Sequence, residues 1–121
     1  MPSIVVLDDD PFILDLLRTV LDDAGYASIT AARLDDISAD ARADLVISDL
    51  IPVKAYTRAM ALEWIATLRR RFGHAPILVV TAHGAAVREP DALGVGGVVG
   101  KPFDVDEVLQ KLKDLVGGIT S

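Results

Sequence analysis

The chain contains no cysteine. Disulfides, thiolate metal sites and thiol redox chemistry are therefore excluded, and the composition suits the cytoplasm. Positive charge is scarce as well, with 12 basic residues against 18 acidic and a net charge of −6. That balance argues against a domain that grips nucleic acid by itself. No apolar run approaches the roughly 18 residues of a membrane span. The N-terminus lacks the basic flank and longer apolar stretch of a signal peptide. Internal repeats, low-complexity tracts and Pro/Ser-rich linkers are missing too. The two histidines, His74 and His83, have no metal-site partners in the pattern and read as surface residues. What is present is a single-domain length of 121 residues, 51% of them hydrophobic. That slight apolar excess fits a sheet covered on both faces.

Four short apolar runs each end on a polar residue able to handle a phosphoryl group. Ile4 to Leu7 runs into Asp8-Asp9-Asp10, and Leu45 to Ser48 into Asp49. Ile77 to Val80 ends on Thr81, and Val95 to Gly100 on Lys101-Pro102. A fifth strand is expected over Tyr26 to Ala31. Between the strands lie helical patterns. Asp10 before Pro11 reads as an N-cap with proline at the first helical position, followed by Phe12, Ile13, Leu16, Leu17, Val20 and Leu21 at helical spacing and by Gly25 as the stop. A short second helix is expected within Arg33 to Ala43, and a third over Ala59 to Phe72, closed by Gly73. Arg69-Arg70-Arg71 then sits where cations favour the helix dipole, and Trp64 reads as core packing. The fourth helix, Gly84 to Leu93, is weak and interrupted by Pro90, and the last spans Asp104 to Val116, ended by Gly117-Gly118. Five strands alternating with about five helices predict an α/β domain with a doubly wound, five-stranded parallel sheet and helices on both faces. Ligands of such sheets bind beyond the carboxyl ends of the strands.

The residues gathered at that edge suit phosphoryl transfer. Clustered carboxylates without cysteine or nearby histidine favour a hard cation, with Mg²⁺ the expected one. Bare carboxylates a few ångströms apart repel, so either a cation binds or one of them is protonated. A further carboxylate can accept a phosphoryl group as an acyl phosphate. Phosphoryl transfer then needs only a cation and donors for the equatorial oxygens, which Thr81 and Lys101 can provide.

Over essentially its whole length the chain resembles the receiver domain of two-component response regulators. The matching residues are Asp8 and Asp9 after strand one, Asp49 after strand three, Thr81-Ala82 after strand four, and Lys101-Pro102-Phe103 after strand five. The resemblance implies a CheY-like sheet order 2-1-3-4-5 and a receiver unit spanning residues 1–121. It implies that Asp49 is the phosphoacceptor and that Mg²⁺ is held by Asp8, Asp9, Asp49 and the backbone carbonyl of Ile51. Thr81 and Lys101 would contact the phosphoryl group, and the Lys101–Pro102 bond would be cis. The chain would be a phosphoacceptor with self-catalysed phosphotransfer and dephosphorylation, not a turnover enzyme. Its implied partners are a histidine kinase or histidine phosphotransfer protein and a further protein downstream. Nucleic acid and membrane are not expected partners, and the expected state is a cytoplasmic monomer or weak homodimer.

Departures from the family pattern fall on the output side. Pro52 stands three residues after Asp49 where the family has its proline at four, and Val53 to Met60 replaces the usual tight turn. Residues 51–60 are therefore the expected place for phosphorylation-dependent ordering. Val98 occupies the position of the family's aromatic residue, so the usual threonine–aromatic coupling cannot operate in its normal form. Three rival readings exist. A receiver fold kept only as a protein-interaction module is favoured by those departures and opposed by the intact acidic, threonine and lysine set. A haloacid dehalogenase-like phosphatase would use the Asp8-x-Asp10 spacing, but Phe12 is ill-suited to it and no acidic pair follows Lys101. A flavodoxin-type cofactor binder fails because Asp8 to Asp10 would repel the cofactor phosphate.

Overall fold

The sheet expected from the apolar runs is present, and it carries the predicted order. The computed structural model describes residues 1–50 and 55–120. Strands β1 (Ser3–Leu7), β2 (Ala27–Ala31), β3 (Leu45–Ser48), β4 (Ile77–Thr81) and β5 (Gly97–Gly100) pair in parallel in the order β2-β1-β3-β4-β5. Helices α1 (Pro11–Asp23), α2 (Arg58–Phe72), α3 (Gly84–Arg88) and α4 (Val105–Thr120) alternate with them. Successive strand side chains point to opposite faces, so each strand feeds two cores. Val5, Leu7, Val46, Ile77 and Val79 pack with Ile65 and Leu68 of α2. Ile4, Val6, Ile47, Leu78 and Val80 pack with Leu17 and Leu21 of α1 and with Val108 and Leu112 of α4. Burial on both sides is why these strands are apolar without alternation.

Local signals set the helix ends. The Asp10 carboxylate accepts the Phe12 N–H at 2.9 Å, which caps α1 as expected. Gly25 leaves that helix with φ +89° and Gly73 leaves α2 with φ +68°, conformations that favour glycine. Thr57 caps α2 by accepting the Met60 N–H at 3.2 Å.

Four expectations need correction. The helix expected within Arg33 to Ala43 is reduced to a 3₁₀ turn, Leu34–Asp36. Its Asp/Ala-rich sequence supplies no continuous apolar stripe, and helices this short gain their stability from packing. The segment is tied down from outside instead, with Arg71 donating to the carbonyls of Ser38 and Ala41. The weak fourth helix splits into α3 and a 3₁₀ turn over Pro90–Leu93, since proline cannot continue a helix but can start one. Strand β5 begins at Gly97, two residues later than expected. The backbone reverses at Gly94 (φ +64°), and a Cβ on Gly96 would lie 2.8 Å from a Leu115 methyl. Finally, α4 continues through Gly117 to Thr120. Glycine weakens a helix interior by about 1 kcal/mol but ends a helix only when it turns to positive φ, which Gly117 does not.

Candidate phosphoacceptor and metal site

The acidic turn after β1, the lone aspartate after β3, the hydroxyl ending β4 and the lysine following β5 all stand at one edge of the sheet. Parallel pairing sets them there. Leu7 lies opposite Ser48, so Asp8 and Asp49 follow side by side, and Thr81 lies opposite Gly100, directly before Lys101. Oxygens of Asp8, Asp9 and Asp49 lie within 4.8 Å of one another. The Lys101 ammonium reaches into the same group, 2.7 Å from Asp8 Oδ2 and 3.4 Å from Asp49 Oδ2. The Lys101–Pro102 peptide is cis.

The three carboxylates are not equivalent. Asp8 is buried, with Oδ1 accepting the Asp10 N–H at 2.9 Å and Oδ2 taken by Lys101. Burial pushes its carboxyl above the ordinary value, and the Asp49 charge adds to that rise. The Lys101 contacts and the Asp10 amide offset it only in part. Burial pulls the Lys101 ammonium down, but the hydrogen bond to Asp8 and the charges of Asp49 and Asp8 together hold it above the ordinary value. It is therefore a charged lysine. Asp9 is exposed, and Asp49 is half-buried with Oδ1 accepting the Leu50 N–H at 2.8 Å. An all-oxygen donor set of this kind fits a hard divalent cation that keeps some of its water, which is the coordination habit of Mg²⁺. The Ile51 carbonyl lies outside the described residues.

Thr81 is fully buried, and its hydroxyl oxygen accepts the His83 N–H at 3.0 Å, which leaves the hydroxyl proton available for donation. His83, read as a surface residue in the sequence, is half-buried with its ring centroid 5.8 Å from that of Tyr56. Tyr56 packs against the core cluster that contains Val98. Pro52 and Lys54 in the preceding loop lie outside the described residues, as do the first four of the ten positions, 51–60, over which ordering is expected.

Two residues of this neighbourhood have no part in the site expected from the sequence. Ser48 is fully buried, and its hydroxyl donates to the Asp49 carbonyl at 2.7 Å. The Trp64 indole N–H reaches both Ser48 Oγ (3.0 Å) and the Asp49 carbonyl (3.1 Å). Trp64 thus adds a polar contact to the core role expected of it. Only its indole donor hinted at this, since a buried tryptophan N–H needs an acceptor.

Comparison with known proteins agrees with the geometry. A family model described as the response regulator receiver domain matches residues 4–113. The DNA-binding dual master transcriptional regulator RpaA of Synechocystis is 29% identical, over 96% of this chain and 49% of its own length. The chain spans between a quarter and a half of the curated relatives it matches first. A response regulator receiver protein from Burkholderia phymatum superposes with a TM-score of 0.76 at 29% identity, covering 97% of this chain and 96% of the other. The response regulator TrrA of Thermotoga maritima, solved in complex with Mg²⁺ and BeF, gives 0.73 at 28% identity, over 95% and 99% of the two chains. No helix among the described residues is long and apolar enough to cross a membrane.

Proposed function

The chain belongs to the response regulator receiver domain family, and from that membership we propose that Asp49 takes a phosphoryl group from a histidine kinase or a histidine phosphotransfer protein. The whole chain, residues 1–121, would form one cytoplasmic receiver unit that signals by a conformational change or passes the phosphoryl group on. The reading is supported most by one observation: Lys101 bridges Asp8 and Asp49 beside a cluster of three carboxylates.

In this scheme Asp8, Asp9 and Asp49 hold Mg²⁺, which supplies positive charge for the phosphoryl oxygens. Asp49 Oδ1 accepts the Leu50 N–H at 2.8 Å and Oδ2 makes only the longer contact with Lys101 at 3.4 Å, so Oδ2 is the oxygen proposed to attack. Lys101 neutralises charge arriving on the phosphoryl group. Thr81 turns its hydroxyl proton toward that group and can keep accepting from His83 as it does so. The family's aromatic partner for this motion is replaced by Val98, and the Tyr56 ring lies against the ring of His83, whose N–H donates to Thr81, with centroids 5.8 Å apart and planes tilted by 37°. Incubation with Mg²⁺ and acetyl phosphate followed by intact-mass measurement tests the proposal. A gain of one phosphoryl group is expected, and an unchanged mass would overturn it in favour of a protein-interaction module.

Lys101→Ala separates binding from response. The ammonium lies 2.7 Å from Asp8 and so competes for a carboxylate proposed to face the cation. Its removal is expected to leave the fold intact and Mg²⁺ affinity at least equal to wild type. The response to the phosphoryl group should fail, because a bias of about 1–3 kcal/mol between two states is no larger than one charge-assisted contact. Calorimetry with Mg²⁺ and NMR with beryllofluoride read the two halves separately. A wild-type set of beryllofluoride shifts in the variant would contradict the role given to Lys101.

A further inference from the structure

We propose that Trp64 is a positioning residue for phosphoryl transfer, acting through the peptide group that joins Asp49 to Leu50. The inference rests on Asp49 being the phosphoacceptor. Strand β3 ends at Ser48, so the Asp49 carbonyl has passed beyond the last rung of the ladder. Its acceptor capacity is met by two side chains, the Ser48 hydroxyl at 2.7 Å and the Trp64 indole N–H at 3.1 Å. The indole N–H also reaches Ser48 Oγ at 3.0 Å, so the three groups close a small ring of hydrogen bonds.

That carbonyl and the Leu50 N–H belong to one planar unit. Fixing the oxygen end fixes the direction of the N–H end, which donates to Asp49 Oδ1 at 2.8 Å. The Asp49 N–H is pinned separately, to the Leu7 carbonyl at 2.8 Å. With both ends of the residue held, the carboxylate keeps Oδ1 on the Leu50 amide and turns Oδ2 toward Lys101, 3.4 Å away. Trp64 thereby sets which oxygen faces the incoming group. Small errors of this kind matter, because transfer rates depend steeply on the alignment of attacking atom and donor. Phenylalanine would fill much of the same space but has no donor. The arrangement also anchors α2 directly to the phosphoacceptor's main chain.

Trp64→Phe tests this, with Ser48→Ala as a second variant acting on the same carbonyl. In Trp64→Phe the maximal rate of phosphorylation by acetyl phosphate should fall about three- to tenfold, the factor one neutral hydrogen bond is worth. The acetyl phosphate concentration giving half-maximal rate should stay unchanged. In the unphosphorylated protein the Leu50 amide proton should move upfield and exchange faster, while β4 amides keep their protection. Ser48→Ala should move the Leu50 amide in the same direction, and the double variant should lose less rate than the product of the two single losses, because each single change already breaks the Trp64–Ser48 bond. A wild-type rate and an unmoved Leu50 amide in Trp64→Phe would overturn the inference. Failure of the wild-type protein to take up phosphate would instead overturn the proposed function, and the Leu50 amide distinguishes the two cases because its reading needs no phosphorylation.

Discussion

Asp49→Asn is expected to take up no phosphoryl group under conditions that label the wild-type protein fully. The substitution keeps size and shape, so the Leu50 N–H still finds an oxygen to bond, and the fold should be retained. What it removes is the anionic nucleophile, because an amide cannot form the acyl phosphate. It also removes one of the three negative charges within 4.8 Å of one another. Lys101 then keeps only its contact at 2.7 Å with Asp8 as an ion pair. Intact mass gives the extent of labelling, and borohydride trapping with peptide mapping gives its place. Labelling of the Asn variant at the wild-type rate and yield would mean that another residue accepts the group.

Metal dependence gives the second large effect. Chelation of divalent cations should abolish phosphorylation, because the incoming group brings close to two negative charges to carboxylates that already repel. Within the cluster, Asp9→Ala should be the most damaging change that leaves both the nucleophile and the Lys101 pair in place. Asp8 already spends one oxygen on the Asp10 amide and the other on Lys101, whereas exposed Asp9 has its carboxylate open to a cation. A loss of about tenfold in Mg²⁺ affinity is expected. That is well below the about 4 kcal/mol of two unit charges in contact near a protein surface, since Asp9 is solvated and screened. Asp10→Ala is the control. Its carboxylate caps α1 through the Phe12 amide, so its removal should cost about 1 kcal/mol of stability and little affinity. Calorimetric titration of the two variants decides the matter, and equal losses would remove Asp9 from its proposed role.

The sequence alone determined the sheet and the edge at which chemistry can occur. Strands buried on both faces must be apolar throughout, so β1, β3 and β4 stood out as short runs of Val, Ile and Leu. The residue that breaks each run is necessarily at a strand end, which is why Asp8, Asp49 and Thr81 could be placed without coordinates. The α1 and α2 ends were legible because Asp10-Pro11, Gly25 and Gly73 act on their own neighbours. Tertiary structure decided what depends on distant partners. Residues 33–43 form a 3₁₀ turn and an irregular segment that Arg71, far along the chain, ties down by donating to the carbonyls of Ser38 and Ala41. Just before β5, the absent Cβ of Gly96 leaves room for Leu115 of α4, a contact between elements. Charge within the site was decided the same way, since Lys101 lies 93 positions from Asp8 yet bonds it at 2.7 Å. Trp64 is the clearest case. Its spacing on α2 spoke only of an apolar face, and which acceptor its N–H meets depends on how α2 docks on the end of β3. Apolar burial is written in periodicity because it needs only a side of the chain to face inward, whereas a hydrogen bond needs a direction and a partner that only the folded chain supplies.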